Sequence, residues 1–145
     1  MTHGNVDLSI IVPIFNEEMN VVPLNNRILQ SIQSLNLSCE IIYINDGSTD
    51  ASAAILRGLS ESYTNIKYID FSRNFGHQIA ITAGIEHAIG TRIVIMDGDG
   101  QDPPELIPDL YNKSLEGFEV VYAKRKKRKG ESWLKKITAK VFYRF

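Results

Sequence analysis

The chain is predicted to be an α/β domain, a mostly parallel sheet with helices on both faces. Two observations carry this expectation. Short, β-branched apolar runs alternate with stretches of helical periodicity, the spacing of strand–helix–strand units. Four of the apolar runs also end in acids or amides, as strands do when they deliver polar side chains to one rim of an open sheet. At 145 residues the chain is one domain by length and long enough to bury a sizeable core.

Leu8-Ser-Ile-Ile-Val-Pro13 reads as the first strand, apolar enough to be central, with Pro13 closing it because proline cannot donate to a ladder. Asn20 is placed to cap a helix over about 21–35, whose apolar face comprises Val22, Leu24, Ile28, Leu29, Ile32 and Leu35. Residues 39–45 form the second strand. A turn over 45–50 follows, in which Ser48, Thr49 or Asp50 can cap a helix reaching about Ser60. A third strand spans 66–70, a loop 71–76, and a small-residue helix about 77–89, in which Ala80, Ala83 and Gly84 permit close packing. Ile93-Val-Ile-Met96 suits a strand buried on both faces. A helix over about 104–115, a stop at Gly117 and a fifth strand over 118–123 complete the pattern.

Asp97 and Asp99 stand at the carboxyl end of the fourth strand. Residues two apart on an extended chain share a face, and Gly98 and Gly100 let the backbone bend so that both carboxylates can converge on one divalent cation. Oxygen-only ligands favour Mg²⁺ or Mn²⁺, and such ions complete their coordination with water and a substrate diphosphate. The other strands end at Asn16-Glu17-Glu18, Asn45-Asp46 and Arg73-Asn74. Four polar strand ends on one rim predict a metal-ready cleft.

Cys39 is the only cysteine, so an internal disulfide and a cysteine metal cluster are excluded; a buried small hydrophobe is its expected role. The N-terminus lacks a secretory pattern, and no run approaches the ~18 apolar residues of a membrane span. No phosphate-loop Lys, Gly-x-Gly-x-x-Gly or Ser-His-Asp arrangement is present. The net charge of −1 hides a division. Residues 1–123 hold 6 Lys and Arg against 16 Asp and Glu, whereas residues 124–145 hold 10 against 1. We therefore expect an α/β domain over 1–123 and a separate basic element over 124–145.

Val12-Pro-Ile-Phe-Asn-Glu-Glu18, Asn45-Asp-Gly-Ser-Thr-Asp50, Asn74-Phe-Gly-His-Gln78 with Gly84, and Asp97-Gly-Asp-Gly-Gln-Asp-Pro-Pro-Glu105 together resemble the nucleotide-binding half of family 2 glycosyltransferases. The nearest resemblance is to polyisoprenyl-phosphate glycosyltransferases, the group that includes dolichol-phosphate mannose synthase and the bactoprenol glucosyltransferases. It implies a GT-A fold, a UDP- or GDP-linked sugar donor, Mg²⁺ or Mn²⁺, inversion at the anomeric carbon, and a lipid-phosphate acceptor. By the same resemblance Pro13, Phe15 and Glu17 line the base and ribose pocket, and Asp46 accepts a hydrogen bond from the base. Asp97 sits at the ribose and diphosphate, and Asp99 binds the metal. Asn74, His77, Gln101, Asp102, Arg125 and Arg128 lie near the donor sugar or the phosphates. From the residues alone, His77 is a helix-start residue. Asn45 stands where many relatives carry a first aspartate. The catalytic base is expected beyond Phe145.

Lys124-Arg-Lys-Lys-Arg-Lys129 is a run of six cations, followed by Trp133, Leu134, Ile137, Val141, Phe142 and Phe145 at helical spacing. This predicts a basic loop and an amphipathic helix at a membrane interface, against a rival in which the helix packs on protein. No reading motif accompanies the cations, so nucleic acid is not predicted. The expected location is the cytoplasmic face of a membrane, peripheral through this segment, with transmembrane helices in the complete protein and oligomerisation both left open. Two alternatives remain: a family 2 transferase acting on a polysaccharide or other glycan, and a non-catalytic nucleotide-binding module. A haloacid-type phosphatase does not fit, because its Asp-x-Asp ends the first strand and precedes Thr or Ser.

Overall fold

A computed structural model describes residues 4–124 and 136–139 of the chain. Seven successive buried residues, β1 (Leu8–Ile14), form the middle of the sheet. Around it run α1 (Val21–Gln33), β2 (Cys39–Asn45), α2 (Ser52–Ser62), β3 (Ile66–Asp70), α3 (His77–His87) and β4 (Arg92–Ile95). The strand order is β3-β2-β1-β4 with every pairing parallel, so the α/β class predicted from the sequence is the one observed.

Alternation along β2 separates the two helical layers. Ile42 and Ile44 join Ile11 and Ala80 in a core cluster under α3. Tyr43, between them, points the other way and donates from Oη to Asn25 Oδ1 of α1 at 2.8 Å. Both residues of that pair are fully buried, and burial pushes the Tyr43 hydroxyl well above its usual range. Asn25 lies on the buried face of α1, whereas Val22, assigned to that face from the sequence, is exposed. The helix also ends at Gln33, two residues before its predicted limit.

Gly84 brings α3 onto the sheet. A Cβ there would stand 2.5 Å from Ile11 Cγ2 and 2.9 Å from Ile44 Cδ1, so only glycine admits this approach. On the same face, at the opposite end of the sheet from the polar rim, Glu40 is buried to 3% exposure. It accepts from Ser9 Oγ at 2.5 Å, Lys67 Nζ at 2.7 Å and the Ile89 amide at 2.8 Å. Burial pushes the Glu40 carboxyl up, but these three donors outweigh it and hold the group below the usual range. Its stabilising effect is therefore present above the ordinary carboxylate range and lost as pH falls through the lowered folded value. Glu40→Gln is expected to cost about 1–3 kcal/mol at pH 7 and less once pH has fallen below that lowered folded value, as read by urea unfolding at the two pH values. An equal cost at both would contradict this.

Three expectations need correction. Pro13 does not close β1, which continues to Ile14. The Ile11 carbonyl accepts the Met96 amide, so Pro13, two residues on, turns its missing N–H to the same side, beyond the end of β4 where no ladder partner is required. β4 is not buried on both faces: it is an edge of the four-stranded sheet, and Ile93 and Ile95 are 41% and 45% exposed. Cys39, at the start of β2, is half-buried and free, not a core residue.

The chain divides into two units, Met1–Glu105 and Leu106–Phe145. In the second, α4 (Ile107–Ser114) precedes β5 (Val121–Lys124), which pairs antiparallel with β6 (Lys136–Ala139). The fifth strand thus forms a two-stranded sheet of its own and does not extend the parallel one. Lys136–Ala139 falls inside the predicted amphipathic helix yet is extended; β-branched Ile137 and Thr138 favour a strand once a partner is present. The rest of that predicted helix, with Arg125 and Arg128, lies outside the described residues.

Candidate functional site

Because the four strands are parallel, their carboxyl ends open on one side, and there the β1–α1, β2–α2, β3–α3 and post-β4 loops meet. The first two are laced together. Asn16, at φ 52°, is one of two non-glycine residues described with positive φ. Its Oδ1 accepts from the Thr49 amide at 2.7 Å, and its own amide donates to Ser48 Oγ at 2.9 Å. The Glu17 amide donates to Ser52 Oγ and the Glu18 amide to Asp50 Oδ2, while Glu18 Oε2 accepts from the Ala51 amide. Asp50 also accepts from the Ser52 amide at the head of α2. Slight burial raises the Asp50 carboxyl, and the Ser52 and Glu18 donors hold it below its usual range. Asn20 precedes α1 as expected, but its amide donates to Glu17 Oε2 instead of capping the helix.

The β2–α2 and β3–α3 loops interlock at Gly47. With φ +71° this residue puts its Cα against the backbone of Arg73 and Asn74, where a Cβ would be 2.2 Å from Arg73 C. Asp46, 4% exposed, is held by the β3–α3 loop. Its Oδ1 accepts the Phe75 amide at 2.7 Å, and its Oδ2 accepts the Gly76 amide at 3.1 Å and Asn74 Nδ2 at 3.1 Å. Arg73 lies over the Phe75 ring at 4.3 Å, and Phe71 meets that ring edge-on. Gly76 then leads into α3.

The Asp97–Asp102 segment is likewise folded on itself. Asp102 Oδ2 accepts the Asp97 amide at 2.9 Å, and Asp99 Oδ1 accepts the Gln101 amide at 3.0 Å. Gly98 has a different reason from the one predicted: its φ is ordinary, but a Cβ would stand 2.4 Å from Ile14 Cδ1 and 2.8 Å from Pro13 O. Gly100, at φ 80°, supplies the bend. Two exposed oxygens of Glu105 receive a paired grip from Arg27 of α1 at 2.8 Å each, which ties the segment's far end down.

Between these loops lies a concavity of about 210 Å³ lined by Pro13, Ile14, Phe15, Asp46, Asn74, Gly76 and His77. Five of the residues singled out from the sequence, Pro13, Phe15, Asp46, Asn74 and His77, therefore share one pocket. His77 Nε2 lies 3.3 Å from Asp97 Oδ1, which joins the pocket to the Asp-Gly-Asp turn. Glu17, Gln101 and Asp102 are in the surrounding loops, bonded as described. The lacing by Asn16, Ser48, Asp50 and Ser52, and the Arg73–Phe75 stack, were not anticipated as site features. Asn16 after a strand, in Pro-Ile-Phe-Asn-Glu-Glu, was the available sign, since asparagine is enriched at positive φ.

Comparison with known proteins gives the family. The profile of Glycosyl transferase family 2 matches residues 9–144. A Bacillus subtilis protein named "Uncharacterized glycosyltransferase YkcC" is 50% identical over 140 residues, 97% of this chain and 43% of its own length. The "Prophage bactoprenol glucosyl transferase homolog" of Escherichia coli is 40% identical over 138 residues, 94% of this chain and 45% of its own. The chain thus spans less than half the length of these relatives. Among solved structures, S. aureus TarS 1-349 superposes with a TM-score of 0.60 at 22% identity, over 77% of this chain and 33% of that one. The mannosyltransferase PcManGT from Pyrobaculum calidifontis, in complex with GDP-Man and Mn2+, gives 0.54 at 22%, over 67% and 28%. These two share the fold, which is of the GT-A type. The chain belongs to glycosyl transferase family 2.

Proposed function

We propose that this chain is the donor-binding part of an inverting glycosyltransferase: it holds a UDP- or GDP-linked sugar with Mg²⁺ or Mn²⁺, and the complete protein transfers the sugar to a polyisoprenyl phosphate. The observation that carries this is the pocket formed by Pro13, Phe15, Asp46 and His77 beside the Asp-Gly-Asp turn. An apolar wall with a buried carboxylate suits a base, and Asp97 against His77, with Asp99 two residues on, suits a cation-bound diphosphate.

The donor set fits such a cation. Among the described residues no three His, Cys, Asp or Glu side chains converge to cage a metal. Asp97 and Asp99 offer charged oxygens only, which is what an ion needs when its other ligands come from phosphate and water. Bound there, the cation would neutralise charge on the departing nucleotide. This chain's own residues would do the rest. Pro13, Phe15 and Glu17 line base and ribose, and Asp46 accepts from the base. Asn74, His77, Gln101 and Asp102 border the sugar and phosphates. The lipid acceptor, the membrane surface and a role for Arg125 and Arg128 at the phosphates are supported by the cationic run Lys124–Lys129 and by the name of the Escherichia coli relative.

Thermal stabilisation against a panel of nucleoside diphosphates and their sugars, each with Mn²⁺ and with chelator, tests the reading. At 100 times Kd a ligand adds about 2.7 kcal/mol, an easily read shift in Tm. A shift for one base only, and only with metal, is the expected result. No shift with any nucleotide would refute the proposal.

A further inference from the structure

We propose that Asp46 is a positioning residue as well as a base acceptor, and that it couples the two ends of the nucleotide site through the Asn74–Gly76 turn. The coupling is geometric, while its use in donor binding rests on the function proposed above.

A carboxylate offers about four lone-pair positions. Three donors already occupy Asp46: the Phe75 amide, the Gly76 amide and Asn74 Nδ2. About one position is left for a base N–H. The same buried group that meets the base therefore also fixes two consecutive backbone amides of the loop. Its own amide donates to Ile14 O at 2.8 Å, so it is anchored to β1 and cannot drift with the loop. The loop ends at Gly76, φ 106°, and the next residue, His77, begins α3. His77 Nε2 is 3.3 Å from Asp97 Oδ1. Asp46, Gly76, His77 and Asp97 thus form an unbroken path from the base pocket to the Asp-Gly-Asp turn.

Every group on this path except Asp46 is half-exposed or exposed. Order in the turn depends on Asp46 and on the Gly47 contact, which makes the turn the element a ligand can bias. A base that binds against Asp46 orders the turn, and the diphosphate end then has less ordering left to do. Reciprocity requires that a diphosphate tighten nucleoside binding by the same factor.

Two measurements on the full chain test this. The first is hydrogen exchange in the absence of ligand. The Phe75 and Gly76 amides should be protected, and in Asp46→Asn they should exchange roughly 10-fold faster or more, with amides of β1 and β2 unchanged. Free-peptide exchange rates at Phe75 and Gly76 in the wild type would overturn the proposal, whatever the chain binds. The second is calorimetric affinity for inorganic pyrophosphate with Mn²⁺, with and without saturating uridine or guanosine. The nucleoside should tighten pyrophosphate binding about 5-fold or more, and the ratio should fall to one in His77→Ala, measured at a nucleoside concentration that saturates the variant. A ratio of one in the wild type, or an unchanged ratio in His77→Ala, overturns the coupling. Should neither nucleoside nor pyrophosphate bind, the proposed function fails, and the exchange measurement still decides whether Asp46 positions the turn.

Discussion

Asp99→Asn is expected to abolish the metal dependence of nucleoside diphosphate binding. Asp99 is an exposed carboxylate on a turn that Asp102 and Gln101 hold in shape. The asparagine keeps an oxygen for the Gln101 amide, so the turn survives and only the charge is lost. Affinity in Mn²⁺ should fall by roughly 100-fold, to the value seen in chelator, since even outer-shell partners of a metal are worth 10–100-fold. Titration calorimetry on the wild type and the variant, in Mn²⁺ and in chelator, reads this directly. Equal affinity for the wild type in the two solutions would remove the metal from the proposal. Asp46→Ala should instead weaken the nucleoside and the diphosphate alike, because Asp46 is the residue proposed to meet the base.

Gly47→Ala should be the most damaging single methyl in the described chain. The new Cβ meets backbone atoms of Arg73 and Asn74 at 2.2 and 2.3 Å, and φ is +71°. Left-handed backbone costs about 1–2 kcal/mol for alanine, and overpacking about 1–3 kcal/mol more. A loss of about 3 kcal/mol or more is expected in urea unfolding followed by circular dichroism. Gly58 provides the control. It lies in α2 with nothing within 4 Å of its added Cβ, so Gly58→Ala should stabilise by about 0.5–1 kcal/mol. Coincident unfolding midpoints for the two variants would contradict the close approach at Gly47.

The order of strands and helices from Leu8 to Ile95 was legible because short β-branched apolar runs and stretches of helical periodicity alternate cleanly there. So was the rim, since parallel strands must all end on one side. What failed was information about neighbours. The run Ile93–Met96 has the same composition whether its strand is central or an edge, and nothing local to it says which strand lies beside it. The second unit failed for a related reason. Trp133, Ile137 and Val141 recur at helical spacing, but Ile137-Thr138 also suits a strand, and for Lys136–Ala139 pairing with Val121–Lys124 decided the matter. Within the site, the polar residues at the strand ends were legible from the sequence, and the bonds among them were not. Asp102 was assigned to the sugar's surroundings, and its carboxylate is bonded to the Asp97 amide. Asn16 was noted only as a polar strand end, although it joins two loops that are more than 30 residues apart in sequence. Which loops become neighbours is a property of the sheet order, and a reading along the chain does not contain it.

The sheet order also has a consequence for the birth of the molecule. β1 is made first, yet one of its two neighbours, β4, is made last among the four strands: Leu8 pairs with Arg92, 84 residues later. At a synthesis rate of about 5–20 residues per second, the apolar β1 waits roughly 4–17 s on the ribosome with that side unpaired. Non-local parallel pairing is also slow once the chain is complete. The central strand of this fold is therefore the segment most exposed to wrong partners during synthesis. Slower translation across residues 46–92 would lengthen that exposure, and a chaperone that shields Leu8–Ile14 would be of most use in the same interval.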